Sequence, residues 1–323
     1  MGALVFPLFL LFLVIKTNIM QNKILITGAT GFIGKQLIPF LLKNNYKIHV
    51  LTRKKIPTTE ANLIYFLWNP KEGEIDVAAF EGVDTIINLV GAGIAEKRWT
   101  SARKKELLES RVLTLKLLEQ YIKKHEFPIK TLISSSAVGY YGAISSERIL
   151  EEHDEVGKDF LGKIVKDWEE AAFAMEKLGL RVLCLRKGVV IGKGGIYAKM
   201  APLAKRGINP GLGKGNQYLP WIAMQDLLAL YNFILKNPEM QGAYNVVASE
   251  HLTMNQFSQS LLHSFNKKSF FPNLPSFLLK IIFGEMAIMF LEGTRVSNQK
   301  LKASGFEFKF DTLKEIFLNL KNN

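Results

Sequence analysis

The most specific chemistry in the chain lies in Lys23-Ile24-Leu25-Ile26-Thr27-Gly28-Ala29-Thr30-Gly31-Phe32-Ile33-Gly34. A short apolar run breaks into three glycines spaced three apart. In a strand-to-helix turn each glycine has its own physical role. Gly28 permits the tight turn, Gly31 lets backbone N–H groups approach a pyrophosphate, and Gly34 lets helix and strand pack closely. The helix N-terminus then offers unpaired N–H groups and the positive end of its dipole to the anion. Thr52-Arg53-Lys54-Lys55 ends the next apolar run with cations and no acid. An acidic residue at that point accepts a hydrogen bond from the ribose of NAD, whereas a cation suits the 2′-phosphate of NADP. Arg53 therefore predicts NADP in preference to NAD. Further on, Ser134-Ser135-Ser136 and Tyr140-Tyr141-Gly142 place hydroxyls and a tight turn where an open α/β sheet binds its ligand.

The elements that must carry these residues follow from periodicity. Ile24 to Ile26, Lys47 to Leu51, Leu63 to Trp68, Asp84 to Val90, the run from Thr131 and Leu180 to Leu185 read as strands. Between them, helices are expected over Gly31 to Lys43 (kinked at Pro39), Ser101 to Lys124 and Lys163 to Leu178, the last stopped by Gly179. Strands alternating with helices at this spacing predict a Rossmann-like, doubly wound parallel sheet. After Gly192 the texture becomes glycine-rich. It then offers a helix near Met224, a strand at Tyr244 to Val247 and a helical region from Pro275 to Leu291. In that region Phe277, Leu278, Ile281 and Ile282 are expected to face inward. A last helix starts at Asp311 as its N-cap and carries Leu313, Ile316, Phe317 and Leu320 on one face. The expected organisation is an apolar leader over 1–19, a dinucleotide-binding domain over 20–192 and a smaller substrate lobe over 193–323. The lobe includes a small C-terminal domain from about residue 270.

Fourteen apolar residues, Gly2 to Ile15, fall short of the roughly 20 that span a bilayer as a helix. No basic residue precedes them and Thr17-Asn18-Ile19 is no cleavage site, so a start at Met20, three residues before the first strand, is the favoured reading. A membrane anchor and a signal peptide stand as alternatives, and a cytoplasmic protein is expected. The net charge of +13 favours acidic ligands, yet the lysines are scattered and no basic stripe with interleaved aromatics points to nucleic acid. A single cysteine, Cys184, rules out an intrachain disulfide, and the five histidines lack ligand spacing, so no metal is expected.

Taken together, the chain resembles the NAD(P)-dependent epimerase/dehydratases of the extended short-chain dehydrogenase/reductase superfamily. Within them it is similar to an atypical "epimerase family protein" branch, sometimes labelled nucleoside-diphosphate-sugar epimerase. The resemblance rests on Ile26 to Gly34, Leu51-Thr52-Arg53, Asn88 to Gly91, Lys97-Arg98-Trp99, Ser110-Arg111, Ser134 to Gly142, Asp167-Trp168-Glu169 and Leu185 to Gly192. Trp221-Ile222, Tyr244 to Val247 and Gly305 to Phe308 complete it. It implies that Gly28, Thr30, Gly31, Phe32 and Ile33 line the pyrophosphate and that Arg53 holds the 2′-phosphate. It further implies that Leu89 and Gly91 border the adenosine, that Ser134 to Ser136 approach the nicotinamide, and that Ser136 meets the substrate oxygen.

Two departures stand out. The Tyr-x-x-x-Lys pair of the superfamily is missing: the tyrosine position is Leu161, the lysine position is Val165, and none of the nine tyrosines has a lysine four residues on. Where relatives often carry His and a second Asp, this chain has Ala223 and Gln225. Two functions remain open. One is an NADP-dependent oxidoreductase or epimerase using substitute donors, namely Ser136 with Tyr140 or Tyr141, or Lys163. The other is a non-catalytic NADP-binding protein. Arg98, Arg111, Arg186 and Trp221 are candidates for the substrate pocket, the arginines suiting a phosphorylated or acidic small molecule. A homodimer is compatible with the superfamily.

Overall fold

The structure, a computed structural model, describes residues 23–322. The strands are β1 (Lys23–Thr27), β2 (Lys47–Thr52), β3 (Leu63–Asn69), β4 (Glu74–Ile75), β5 (Val83–Asn88), β6 (Thr131–Ala137), β7 (Ser146–Leu150), β8 (Arg181–Lys187), β9 (Val189–Ile191), β10 (Trp221–Ala223), β11 (Gly242–Val246) and β12 (Thr294–Val296). Eight of them form one sheet in the order β11-β8-β6-β5-β1-β2-β3-β4, parallel throughout except for the short β3–β4 pair. Strand order reverses between β1 and β5. In an open parallel sheet that reversal opens the crevice in which a ligand binds, at the carboxyl ends of the strands. β11 joins this sheet from beyond residue 192, so the sheet draws on both sides of the expected domain boundary.

Helices cover both faces: α1 (Gly34–Lys43), α2 (Ser101–His125), α3 (Phe160–Phe173), α4 (Gly195–Lys205), α5 (Met224–Lys236), α6 (Met254–Ser264), α7 (Ser276–Phe283), α8 (Ile288–Leu291), α9 (Gln299–Ala303) and α10 (Leu313–Asn322). Strand alternation divides the core. Ile24, Ile26, Leu183 and Leu185 pack with Leu37 and Leu41 of α1 and with Leu227 and Tyr231 of α5. Leu25, Val182 and Cys184 pack on the other side with Leu115 and Leu118 of α2 and Trp168 of α3. Each such buried aliphatic side chain stabilises the fold by roughly 1.5–3 kcal/mol, which is why these runs settle as central strands. A third cluster, in which Trp221 and Phe257 meet Phe310 and Phe317 of the C-terminal segment, forms the core of the glycine-rich half.

Local signals set the ends of the elements. Thr100 caps α2 by accepting the Arg103 N–H, and Gly179 stops the α3 segment in the left-handed conformation. α1 runs through Pro39 and starts at Gly34, three residues later than periodicity predicts, because Gly31 to Ile33 form the turn. Two expectations are corrected. Asp311 does not cap the last helix: its carboxylate accepts the Ser249 N–H, while Thr312 and Glu315 exchange hydrogen bonds at the helix start. The apolar face of α7 is not turned inward as a whole. Phe277, Ile281 and Ile282 are exposed at 62%, 66% and 51%, and Leu279 takes the buried position. Among the described residues no helix is long and apolar enough to cross a membrane; the leader lies outside them.

Candidate active site

The turn after β1 is shaped by close approaches. Gly28 adopts a φ of +71°, and a Cβ placed there would lie 2.6 Å from the Leu89 carbonyl carbon, so β1 and the end of β5 can meet only through glycine. A Cβ on Gly34 would fall 2.5 Å from the Ala29 oxygen, which brings the start of α1 onto the turn. Thr30 and Gly31 are exposed, and no side chain caps α1. The helix therefore presents its N-terminus beside an open backbone turn, the arrangement an anion requires. The Phe32 ring packs against Gly192 and Gly194 after β9, so that loop stands over the turn. Ile33 is the half-buried residue preceding α1. A cavity of about 290 Å³ next to the turn is lined by Ala29, Thr30, Lys35, Ile38, Pro39, Ile56 and Tyr65. Arg53, at the end of β2, is exposed, and so are Lys54 and Lys55.

A chain of buried hydrogen bonds crosses the reversal point. Thr27 Oγ1 donates to Asn88 Oδ1 at 2.6 Å, Asn88 Nδ2 to Ser134 Oγ at 3.4 Å, and Ser134 Oγ to the Ser135 carbonyl at 3.1 Å. These bonds tie the ends of β1, β5 and β6 together under the crevice. Leu89 is half-buried past the end of β5, and Gly91 is exposed two residues further on, against the Arg111 guanidinium.

The expected catalytic residues fall into different places. Ser136 is buried and donates to Glu169 Oε1 at 2.5 Å. Glu169, on α3, is also held by Arg186, whose Nε and Nη2 reach its two oxygens at 2.9 and 2.8 Å. Arg186 Nη1 donates to the Tyr141 hydroxyl and to the Glu152 carbonyl, and Tyr141 donates to Asn245 Oδ1 at 2.7 Å. The Tyr140 ring lies 3.4 Å from the guanidinium. Burial pushes the Tyr141 phenol up to about 12, with Arg186 opposing, which is far from the range where a phenol exchanges protons at neutral pH. Lys163 projects from the outer side of α3, 70% exposed, and pairs with Asp167 at 3.1 Å. Ser136, Tyr141 and Arg186 therefore form one network, and Lys163 stands apart from it. Leu161 and Val165, the positions of the missing pair, join Trp99, Ile164 and Met286 in an apolar cluster.

Of the substrate candidates, Arg98 is exposed and donates to the Ile281 carbonyl at 2.8 Å. Arg111 is buried. Its guanidinium donates to the carbonyls of Leu107 and Ala92 and lies over Trp168, and burial lowers its pKa to about 10, with Arg103 adding to the effect. Arg186 is fully engaged by Glu169, Tyr141 and Glu152. Trp221 is completely buried in β10, with no partner for its indole N–H among the described residues.

The NAD dependent epimerase/dehydratase family matches residues 24–247, and a domain of unknown function (DUF1731) matches residues 274–320. The chain belongs to the NAD dependent epimerase/dehydratase family. An epimerase family protein of Mycobacterium bovis is 33% identical over 292 residues, 90% of this chain and 94% of the relative. A chloroplastic SDR39U1 homologue of Arabidopsis thaliana is 34% identical over 306 residues, 91% of this chain and 85% of the relative. Human epimerase family protein SDR39U1, crystallised with NADPH, superposes with a TM-score of 0.81 at 30% identity, covering 93% of this chain and 99% of that one. UDP-glucose 4-epimerase of Thermotoga maritima, at 18% identity and a TM-score of 0.74, shares the fold.

Within this family fold, motif reading assigns no role to Asn88, Glu169, Lys187 or Asn245. Asn88 and Lys187 carry a visible signal, as polar residues at the strand ends that follow the apolar runs Ile86-Ile87 and Val182 to Leu185. Glu169 and Asn245 carry none, because their partners lie 33 and 104 residues away in sequence.

Proposed function

We propose that this protein is an NADP-dependent oxidoreductase or epimerase acting on a small molecule. The observation that carries the reading is the glycine-shaped turn at the strand-order reversal, with exposed Arg53 and no acid at the end of β2. Gly28, Thr30, Gly31, Phe32 and Ile33 hold the pyrophosphate, Arg53 takes the 2′-phosphate, Leu89 and Gly91 border the adenosine, and Ser134 stands near the nicotinamide. When bound, NADPH supplies a hydride for transfer to a substrate carbon. The protein orients the reactants on a rigid floor, the Thr27–Asn88–Ser134 chain, and fixes the Ser136 hydroxyl through Glu169. Of the four substrate candidates, Arg98 is the exposed one: it spends one N–H on the Ile281 carbonyl and its remaining N–H groups can meet a phosphate or carboxylate. Arg111 and Arg186 hold the ends of the sheet, and Trp221 fills the core.

A second reading, a protein that binds NADP without turnover, draws support from the apolar packing of Leu161 and Val165 where an acid/base pair would stand. Both readings require the nucleotide. Titration with NADPH and NADH, followed by fluorescence, tests them, with Arg53→Ala as the control. Preferential NADPH binding that falls at least tenfold in the variant, about 1.4 kcal/mol, supports the site. A protein that binds neither nucleotide refutes both readings.

A further inference from the structure

Lys187 closes β8 at the carboxyl edge of the sheet, paired with Ala137 of β6 on one side and Val246 of β11 on the other. Its amine nitrogen is buried and has no hydrogen-bond partner among the described residues. A buried ammonium without a carboxylate or carbonyl is costly, so a purely structural lysine here would be replaced by an apolar residue at a gain in stability. Burial lowers its pKa to about 7, and the positive charge of Arg111 adds to the shift. That guanidinium rests on the Ala92 carbonyl, past the end of β5. In the sheet the end of β6, with Ser134 to Ser136, stands between the end of β8, which carries Lys187, and the end of β5. In a doubly wound sheet, this is the half of the crevice on the far side of the reversal from β2, whose end carries Arg53.

We propose that Lys187 is the proton-exchanging residue of this site, its amine replacing the tyrosine–lysine pair whose positions Leu161 and Val165 occupy. The proposal rests on the NADP-dependent reading above. In the reducing direction the substrate carbonyl carbon gains a hydride from NADPH, its π pair moves to oxygen, and an N–H bond of the Lys187 ammonium breaks as the O–H bond forms. The products are the alcohol, NADP⁺ and a neutral amine, which recovers its proton from water. In the oxidising direction the neutral amine accepts the alcohol proton. An amine that titrates near neutrality can act in either direction.

The test uses the full chain with NADPH and NADP⁺ as probes. A protonated Lys187 next to the nicotinamide repels the pyridinium ring of NADP⁺ but not the neutral ring of NADPH. The ratio Kd(NADP⁺)/Kd(NADPH) is therefore expected to rise at least fivefold as the pH is lowered from about 9 to about 6. The 2′-phosphate, with its second pKa near ~6, is common to both nucleotides and cancels. Of the charged neighbours, Arg111 keeps its charge over most of this window and the Cys184 thiol is pushed well above it by burial. Lys187→Met, and Lys187→Gln as a second neutral variant, are expected to give a flat ratio while still binding both nucleotides. A flat ratio in the wild type, or the same slope in wild type and variants, with tight binding throughout, overturns the proposal and leaves the nucleotide site standing. Failure of the wild type to bind either nucleotide defeats the underlying reading, and this proposal with it.

Discussion

Ser136 donates its hydroxyl hydrogen to Glu169 across 2.5 Å, and the same carboxylate is gripped from the other side by Arg186. One acid on α3 thus fixes two residues at opposed positions of β6 and β8. Burial works against the charge on Arg186, but its bonds to Glu169 hold the pKa above the ordinary value, so the guanidinium stays charged at every accessible pH. Breaking a buried ion pair from one side leaves the partner uncompensated, at a cost of about 3–5 kcal/mol. Glu169→Ala is expected to lose that much in chemical denaturation. The double variant Glu169→Leu with Arg186→Met should recover a large part of it. Equal losses in the single and double variants would mean that the pair does not act as a unit.

The glycine turn makes a sharper prediction. Gly28→Ala combines a left-handed φ with a Cβ 2.6 Å from the backbone of Leu89. Gly73 has a similar φ, +74°, but open space around its Cβ position. Gly73→Ala should therefore cost only the left-handed strain, about 1–2 kcal/mol, and leave nucleotide binding intact. Gly28→Ala should also push β1 and β5 apart and abolish NADPH binding. Isothermal titration of both variants separates strain from the lost approach; equal affinities would show that the turn can yield.

Asn88 is completely buried and satisfies both its neighbours, accepting from Thr27 and donating to Ser134. Asn88→Ala leaves the Thr27 hydroxyl without its acceptor, at a cost of roughly 1–3 kcal/mol. Asn88→Leu, which fills the volume but satisfies nothing, should be no more stable than Asn88→Ala. Thermal unfolding of the two variants checks this; a leucine variant as stable as the wild type would show that the bridge contributes little.

These residues also show what the sequence could and could not carry. The central strands were legible because Ile24 to Ile26, Ile86 to Ile87 and Val182 to Leu185 are apolar runs buried on both faces. The turn was legible because its glycines, Gly28, Gly31 and Gly34, follow one another closely along the chain. Tyr141 and Arg186 were legible as residue types but not as partners: 45 positions separate them, and only the parallel pairing of β6 with β8 brings them together. α7 misled for a different reason. Ser276-Phe277-Leu278-Leu279-Lys280-Ile281-Ile282-Phe283 is apolar nearly all round, so periodicity cannot say which side is covered, and the exposed Phe277, Ile281 and Ile282 contradict an inward placement.

Lys187 yields a stability prediction independent of nucleotide binding. Its pKa falls from an ordinary 10.5 to about 7 on folding, so between those values the unfolded chain holds the proton and the folded chain does not. Its contribution is fully present above about 10.5 and is lost as the pH falls to about 7, at up to roughly 1.4 kcal/mol per pH unit. Below that both states are protonated and the loss is complete. Lys187→Met removes this slope and should be more stable than the wild type at neutral pH, with the difference shrinking as the pH is raised toward about 10. Urea denaturation of both proteins at pH values from about 7 to about 10 measures it. A variant less stable than the wild type at about pH 7 would mean that the amine has a partner after all. A more stable one would mark Lys187 as a residue retained at a cost to folding, as expected of a group kept for its chemistry.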